Sequence, residues 1–135
     1  MELQLKIIGC LLIVLSLLHI IFSKIFDWKN ELNNLSLINK QMMHVHTFFI
    51  ALAVFLMGLL CLSSTKELIE TGLGKKITAS LCVFWSVRLF IQFFWYSPKL
   101  WKGKKTETII HIFLSCLWAY LSVMFFIVCW NNKTL

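Results

Sequence analysis

A single arginine and four histidines carry most of the chemistry open to this 135-residue chain, and all five lie in or beside long apolar runs. Arg88 is the only charged residue within any run. The six acidic residues (Glu2, Asp27, Glu31, Glu67, Glu70 and Glu107) and all the lysines fall outside them. A charge at the centre of a bilayer costs at least about 2.5 kcal/mol on insertion scales, so something must answer Arg88. With no carboxylate in the runs, the candidates are a backbone carbonyl, Gln92, a neutral histidine, Tyr120, water or an anion from outside the chain. Three roles are open to it. The guanidinium snorkels toward headgroups, offers its fork to the phosphate or carboxylate of a lipid-like ligand, or meets a partner protein.

Neighbouring residue types favour a shared site. Gln92 lies four residues beyond Arg88 and Trp85 three before it, which puts all three on one helical face, with Trp95 and Tyr96 just beyond. Ser16, His19 and Ser23 form a second single-face stripe, and His111, Ser115, Trp118 and Ser122 a third. A polar group facing lipid has nothing to bond, so these stripes are expected to point inward. With four antiparallel helices, His19, His44, His46 and His111 all fall in the membrane half that faces the first and third connections, and Arg88 sits near mid-depth. The expected site is a basic, aromatic-lined pocket of Arg88, Gln92, His46, His19 and His111, with Trp85 and Tyr96 beside them. His44 reads as an interface residue. A b-type haem held by His19 with His46 or His111, or a quinone, is the cofactor alternative; otherwise no cofactor is expected.

Several catalytic classes lack their residues. Di-iron chemistry needs Glu-x-x-His carboxylates inside the spans. Zinc hydrolysis needs HExxH or a comparable cluster, and His44-x-His46 places its imidazoles on different helical faces with no acid beside them. Cys10, Cys61, Cys82, Cys116 and Cys129 contain no CxxC, and the first run lacks the glutamate that small multidrug exporters use. The residues point away from an enzyme.

The elements that must position these groups are membrane spans. Hydrophobic residues make up 59% of the chain and charged ones 14%, against about 25% charged in a soluble domain; mean hydropathy is +0.81. At roughly 20 residues per span, the runs Ile7–Ser23, His46–Leu62, Ile77–Ser97 and Thr108–Trp130 predict an all-α, four-helix transmembrane bundle forming one domain. No small-residue cleavage site follows the first run, which is therefore expected to stay in the protein. Between the first two spans, Asp27 caps a predicted interfacial amphipathic helix with Trp28, Leu32, Leu35, Ile38 and Met42 on its apolar stripe. Ser64 and Glu67 form a capping-box pattern for a short surface helix ending at Gly72 and Gly74. Lys99, Lys102, Lys104 and Lys105 beside Trp95, Tyr96 and Trp101 resemble a headgroup anchor.

The net charge of +7 lies at the membrane edges, which speaks for anionic lipid partners and against nucleic acid. A slight lysine excess in the first and third connections favours a cytoplasmic position for them, with both termini outside. Twelve lysines to one arginine, with abundant Ile, Phe and Asn, indicate an AT-rich bacterial source and hence an inner-membrane location. Asn34-Leu35-Ser36 and Asn132-Lys133-Thr134 match the glycosylation sequon, a triplet common by chance.

The chain resembles a family of small four-span bacterial membrane proteins with no established activity. Asp27-Trp28, Glu31-Leu32, Gln41, His46, Phe84-Trp85, Arg88, Gln92, Phe94, Tyr96, Pro98, Trp101, Gly103, Thr108 and His111 carry the likeness. It implies the four-helix membrane fold and a shared polar cluster, and no particular chemistry. The expected function is binding of an anionic lipid or isoprenoid-like ligand, or service as a subunit of a membrane complex. The alternatives are a haem- or quinone-binding redox subunit and a channel or transporter built as a homo-oligomer.

Overall fold

The computed structural model describes residues 1–133. Its helices are α1 (Glu2–Ile25), α2 (Trp28–Glu31), α3 (Leu37–Ser63), α4 (Thr65–Glu70), α5 (Gly72–Phe94) and α6 (Lys105–Asn131), with 3₁₀ turns at Leu32–Asn34 and Pro98–Leu100. Four of them, α1, α3, α5 and α6, are long and apolar enough to cross a membrane. The shortest, α5 with 23 residues, is about 35 Å long at 1.5 Å per residue, enough for a hydrocarbon core of about 30 Å. This is the architecture of a small multi-pass membrane protein.

The chain divides into two helical hairpins, one from Glu2 to Thr65 and one from Lys66 onward. In the first, α1 packs on α3. Buried residues recur every three or four positions on both helices: Leu5, Ile8, Leu12 and Leu15 on α1, and Ala51, Val54, Gly58 and Cys61 on α3. The backbones meet at two glycines. A Cβ on Gly9 would lie 2.9 Å from the Gly58 carbonyl oxygen, and one on Gly58 would lie 2.9 Å from that of Gly9. In lipid, where hydrophobic association between helices is weak, such close approach supplies the van der Waals contact that pairs them. Apolar residues off the stripes, such as Val14, Leu17, Phe48 and Phe49, are exposed, as suits acyl-chain contact.

The connection between these helices differs from the expected amphipathic helix. Asp27 adopts a left-handed conformation (φ 47°) and makes no side-chain cap; its carboxylate instead accepts from the Asn30 amide at 2.8 Å. One α-helical turn and one 3₁₀ turn come next. Ser36 then caps a new helix by accepting from the Asn39 N–H, so Ile38 and Met42 belong to the second span and share no continuous stripe with Trp28.

In the second hairpin, α5 packs on α6. The antiparallel register is visible in successive contacts: Cys82 Sγ reaches the Ser122 carbonyl at 3.5 Å, the Trp85 and Trp118 rings stack at 5.1 Å, and Gln92 meets His111. The predicted Ser64 cap is absent, because Ser64 closes α3. Gly72 and Gly74 begin α5, capped by Thr71, whose hydroxyl accepts from the Gly74 N–H at 2.9 Å. A Cβ on Gly74 would overlap the Glu67 carbonyl oxygen, so glycine lets α4 fold back on α5. The Asn132 amide donates to the Leu68 and Thr71 carbonyls at 3.3 and 2.9 Å and is 1% exposed. This residue ties α6 to that corner and offers no glycosylation surface; Thr134 of the same triplet lies outside the described residues.

The third span ends at Phe94, short of the expected Ser97, because the chain must turn into Pro98. Arg88 is therefore six residues from the helix end, about 9 Å along the axis, and beyond the midpoint of α5.

Candidate functional site

The second hairpin gathers Arg88, Gln92, His111, Trp85 and Tyr96. The inward stripe of α5 (Gly74, Thr78, Leu81, Trp85 and Gln92) carries Arg88 at its edge, half-buried. Arg88 Nη1 donates to Gln92 Oε1 at 3.2 Å, the i to i+4 contact that helical spacing provides. Gln92 Nε2 lies 2.8 Å from His111 Nδ1.

The chemistry of the donors orients this chain of bonds. A guanidinium only donates, so the Gln92 oxygen must face Arg88 and its NH₂ must face His111. The amide then donates to Nδ1, which must accept, and the neutral imidazole carries its hydrogen on Nε2. His111 is held from three directions. Trp101 stacks on its ring at 3.8 Å and 9°, Phe93 stands edge-on at 6.2 Å, and the His111 carbonyl accepts from the Ser115 hydroxyl at 2.7 Å. Trp101 is itself pinned, since the Thr108 hydroxyl donates to its carbonyl at 2.7 Å.

Aromatic faces surround the guanidinium. Arg88 Cζ is 5.0 Å from the Trp118 ring centre and 5.7 Å from that of Tyr96, both within cation–π range. Trp118 continues into the stack with Trp85. The indole N–H groups of Trp85 and Trp118 are buried without an acceptor among the described residues, although buried Trp N–H groups normally find one. No acidic residue pairs with Arg88 among the described residues, and Gln92 is its one hydrogen-bonded partner there. The cluster is rich in donors and poor in acceptors, a composition suited to an anion.

His19 and His46 belong to the first hairpin. His19 Nδ1 donates to the Leu15 carbonyl at 2.8 Å, and its ring lines a cleft of about 120 Å³ with Ile20, Ser23, Trp28, His44, Thr47 and Phe48. His46 is exposed and outside that lining. His44, two positions earlier and about 200° around the helix, occupies the place expected for His46 and meets Trp28 edge-on at 5.3 Å.

Trp101 and Trp118 join the Arg88 cluster beyond the residues that sequence reasoning places there. Trp118 is two turns beyond His111 on one stripe, a signal the sequence does contain. The Trp101–His111 stack depends on the path of the third connection, which periodicity does not encode. Set against models of known protein families, curated proteins and solved structures, the chain matches none.

Proposed function

We propose that the second hairpin binds the anionic headgroup of a membrane amphiphile, taking its phosphate or carboxylate at the Arg88 guanidinium. The observation that supports this most directly is the state of Arg88: a half-buried cation with a single hydrogen-bonded partner and no carboxylate among the described residues. Its depth, about 9 Å from the end of α5, suits an anion just beneath the headgroup layer. The bond to Gln92 leads toward that end, where Lys99, Lys102, Lys104 and Lys105 cluster. Near an anionic surface each lysine adds about 1 kcal/mol of attraction.

The parts have distinct roles. Arg88 supplies the charge and a planar fork for two oxygens. Gln92 fixes one edge of that fork, His111 holds Gln92, and the rings of Tyr96 and Trp118 confine the cation without neutralising it. A simple snorkelling arginine would need none of this second layer. The Gln92 bond to Nδ1 also disfavours His111 as a haem ligand: metal at Nε2 would leave the ring no hydrogen to give, with Nδ1 already accepting.

Mass spectrometry of lipid co-purified with wild type and with Arg88→Leu tests the proposal. The variant is expected to retain anionic lipid at least about tenfold less, in keeping with loss of one charge-assisted hydrogen bond worth about 1.5–3 kcal/mol, while zwitterionic lipid stays the same. Equal retention of anionic lipid by both proteins would remove Arg88 from the site.

A further inference from the structure

We propose a second and independent site in the first hairpin: the cleft between α1 and α3 binds the ring of a neutral, hydroxyl-bearing amphiphile of the quinol or phenol class. The first observation is a pattern of unmade bonds. Hydroxyls in the apolar helices normally donate back to the preceding turn, as Ser16, Ser63, Thr78, Ser80, Ser115 and Ser122 do here. The hydroxyls of Ser23 and Thr47, which both line the cleft, have no hydrogen-bond partner among the described residues. Exposed Ser86, which is not part of that lining, also lacks one. Within the cleft, then, two hydroxyls on facing helices are left for a ligand to satisfy.

His19 fixes the polarity of that ligand. With Nδ1–H given to the Leu15 carbonyl, the neutral ring has Nε2 left as a lone-pair acceptor, and this same bond sets its orientation. His44, also on the lining, has no hydrogen-bond partner among the described residues. The cleft therefore offers acceptors and adaptable hydroxyls but no lysine, arginine or carboxylate. A headgroup anion has no cation there, and no cluster of three metal-ligating side chains exists among the described residues. What suits the site is a hydrogen-bond donor on a neutral head.

The walls select a ring. Trp28 and Phe48 supply aromatic surface, and the volume of about 120 Å³ is close to the roughly 150 Å³ of a cavity known to hold benzene. A haem is far too large for it. His19 is six residues from the end of α1, about 9 Å, so a ring hydroxyl meeting Nε2 leaves an isoprenoid or alkyl tail in the adjacent acyl region. Binding alone is assigned, with no electron transfer.

The test uses the full chain in nanodiscs of zwitterionic lipid and a tritiated decyl-tailed benzoquinol, with partition into empty nanodiscs subtracted. Saturable binding is expected, weakened about tenfold by His19→Leu and several-fold by Thr47→Ala and Ser23→Ala, in keeping with loss of one hydrogen bond each. The dimethyl ether of the probe, which has no donor, should bind about tenfold more weakly. Arg88→Leu should bind the quinol like wild type, so failure of this site and failure of the anionic-lipid site are separately readable. No saturable binding by wild type, undiminished binding by the Ser23 and Thr47 variants, or equal affinity for the ether would each overturn the proposal.

Discussion

Gln92 is the residue on which the Arg88 cluster turns, because its amide has one end that accepts and one that donates. It uses the first on a cation and the second on a neutral imidazole. An isosteric glutamate carboxylate in its place would give Arg88 an internal counter-charge. Gln92→Glu is therefore expected to lower anionic-lipid retention about as much as Arg88→Leu, while thermal stability in detergent stays at or above the wild-type value. Loss of stability with lipid retained would show that Arg88 needs no external anion. Amide and carboxylate are nearly the same shape, and because a carboxylate only accepts, His111 must carry its hydrogen on Nδ1 in the variant. The Arg88–Gln92 pairing was legible from spacing alone, because residues four apart on a helix meet whatever the rest of the chain does. The His111 partner was legible as to depth but not as to contact, and the choice between His44 and His46 turned on a 200° difference in direction that the helix's tertiary setting decides.

The first hairpin is held by close backbone approach at two glycines, the second by stacked rings and an amide contact. At the Gly9–Gly58 crossing an added methyl has nowhere to go: a Cβ at Gly9 would also come within 2.6 Å of Leu62 Cγ. Gly58→Ala is expected to cost about 1–3 kcal/mol, the usual range for overpacking, measured as a fall in the unfolding midpoint in detergent. Ala53→Leu, on an exposed face of the same helix, should change it little. Equal effects from the two would mean that α1 and α3 do not approach at the glycines. At this scale the four spans were readable from hydropathy, but the connections were not. Asp27 has the residue type that favours a cap. Its left-handed backbone directs the carboxylate to Asn30 instead, and Ser36 restarts the helix. Local side-chain competition of this kind depends on backbone dihedrals that composition leaves open.

For the whole molecule, four crossings return the chain to the side on which it began. Reporter fusions at the N- and C-termini should therefore give the same sidedness, and the lysine excess in the first and third connections predicts that both report the exterior. Opposite readings from the two ends would mean an odd number of spans; matching interior readings would keep the four spans and reverse the orientation. The number of spans, the confinement of every acidic side chain to their first turns or to the connections and the singular position of Arg88 follow from the order of residues, since the cost of burying charge in hydrocarbon is large and local. Which residues come together in each hairpin was decided by folding. Stacking of Trp101 on His111, the unbonded hydroxyls of Ser23 and Thr47, and the depth of Arg88 relative to the end of α5 all depend on where helices stop, rotate and meet, and those are set by packing between segments distant in the chain.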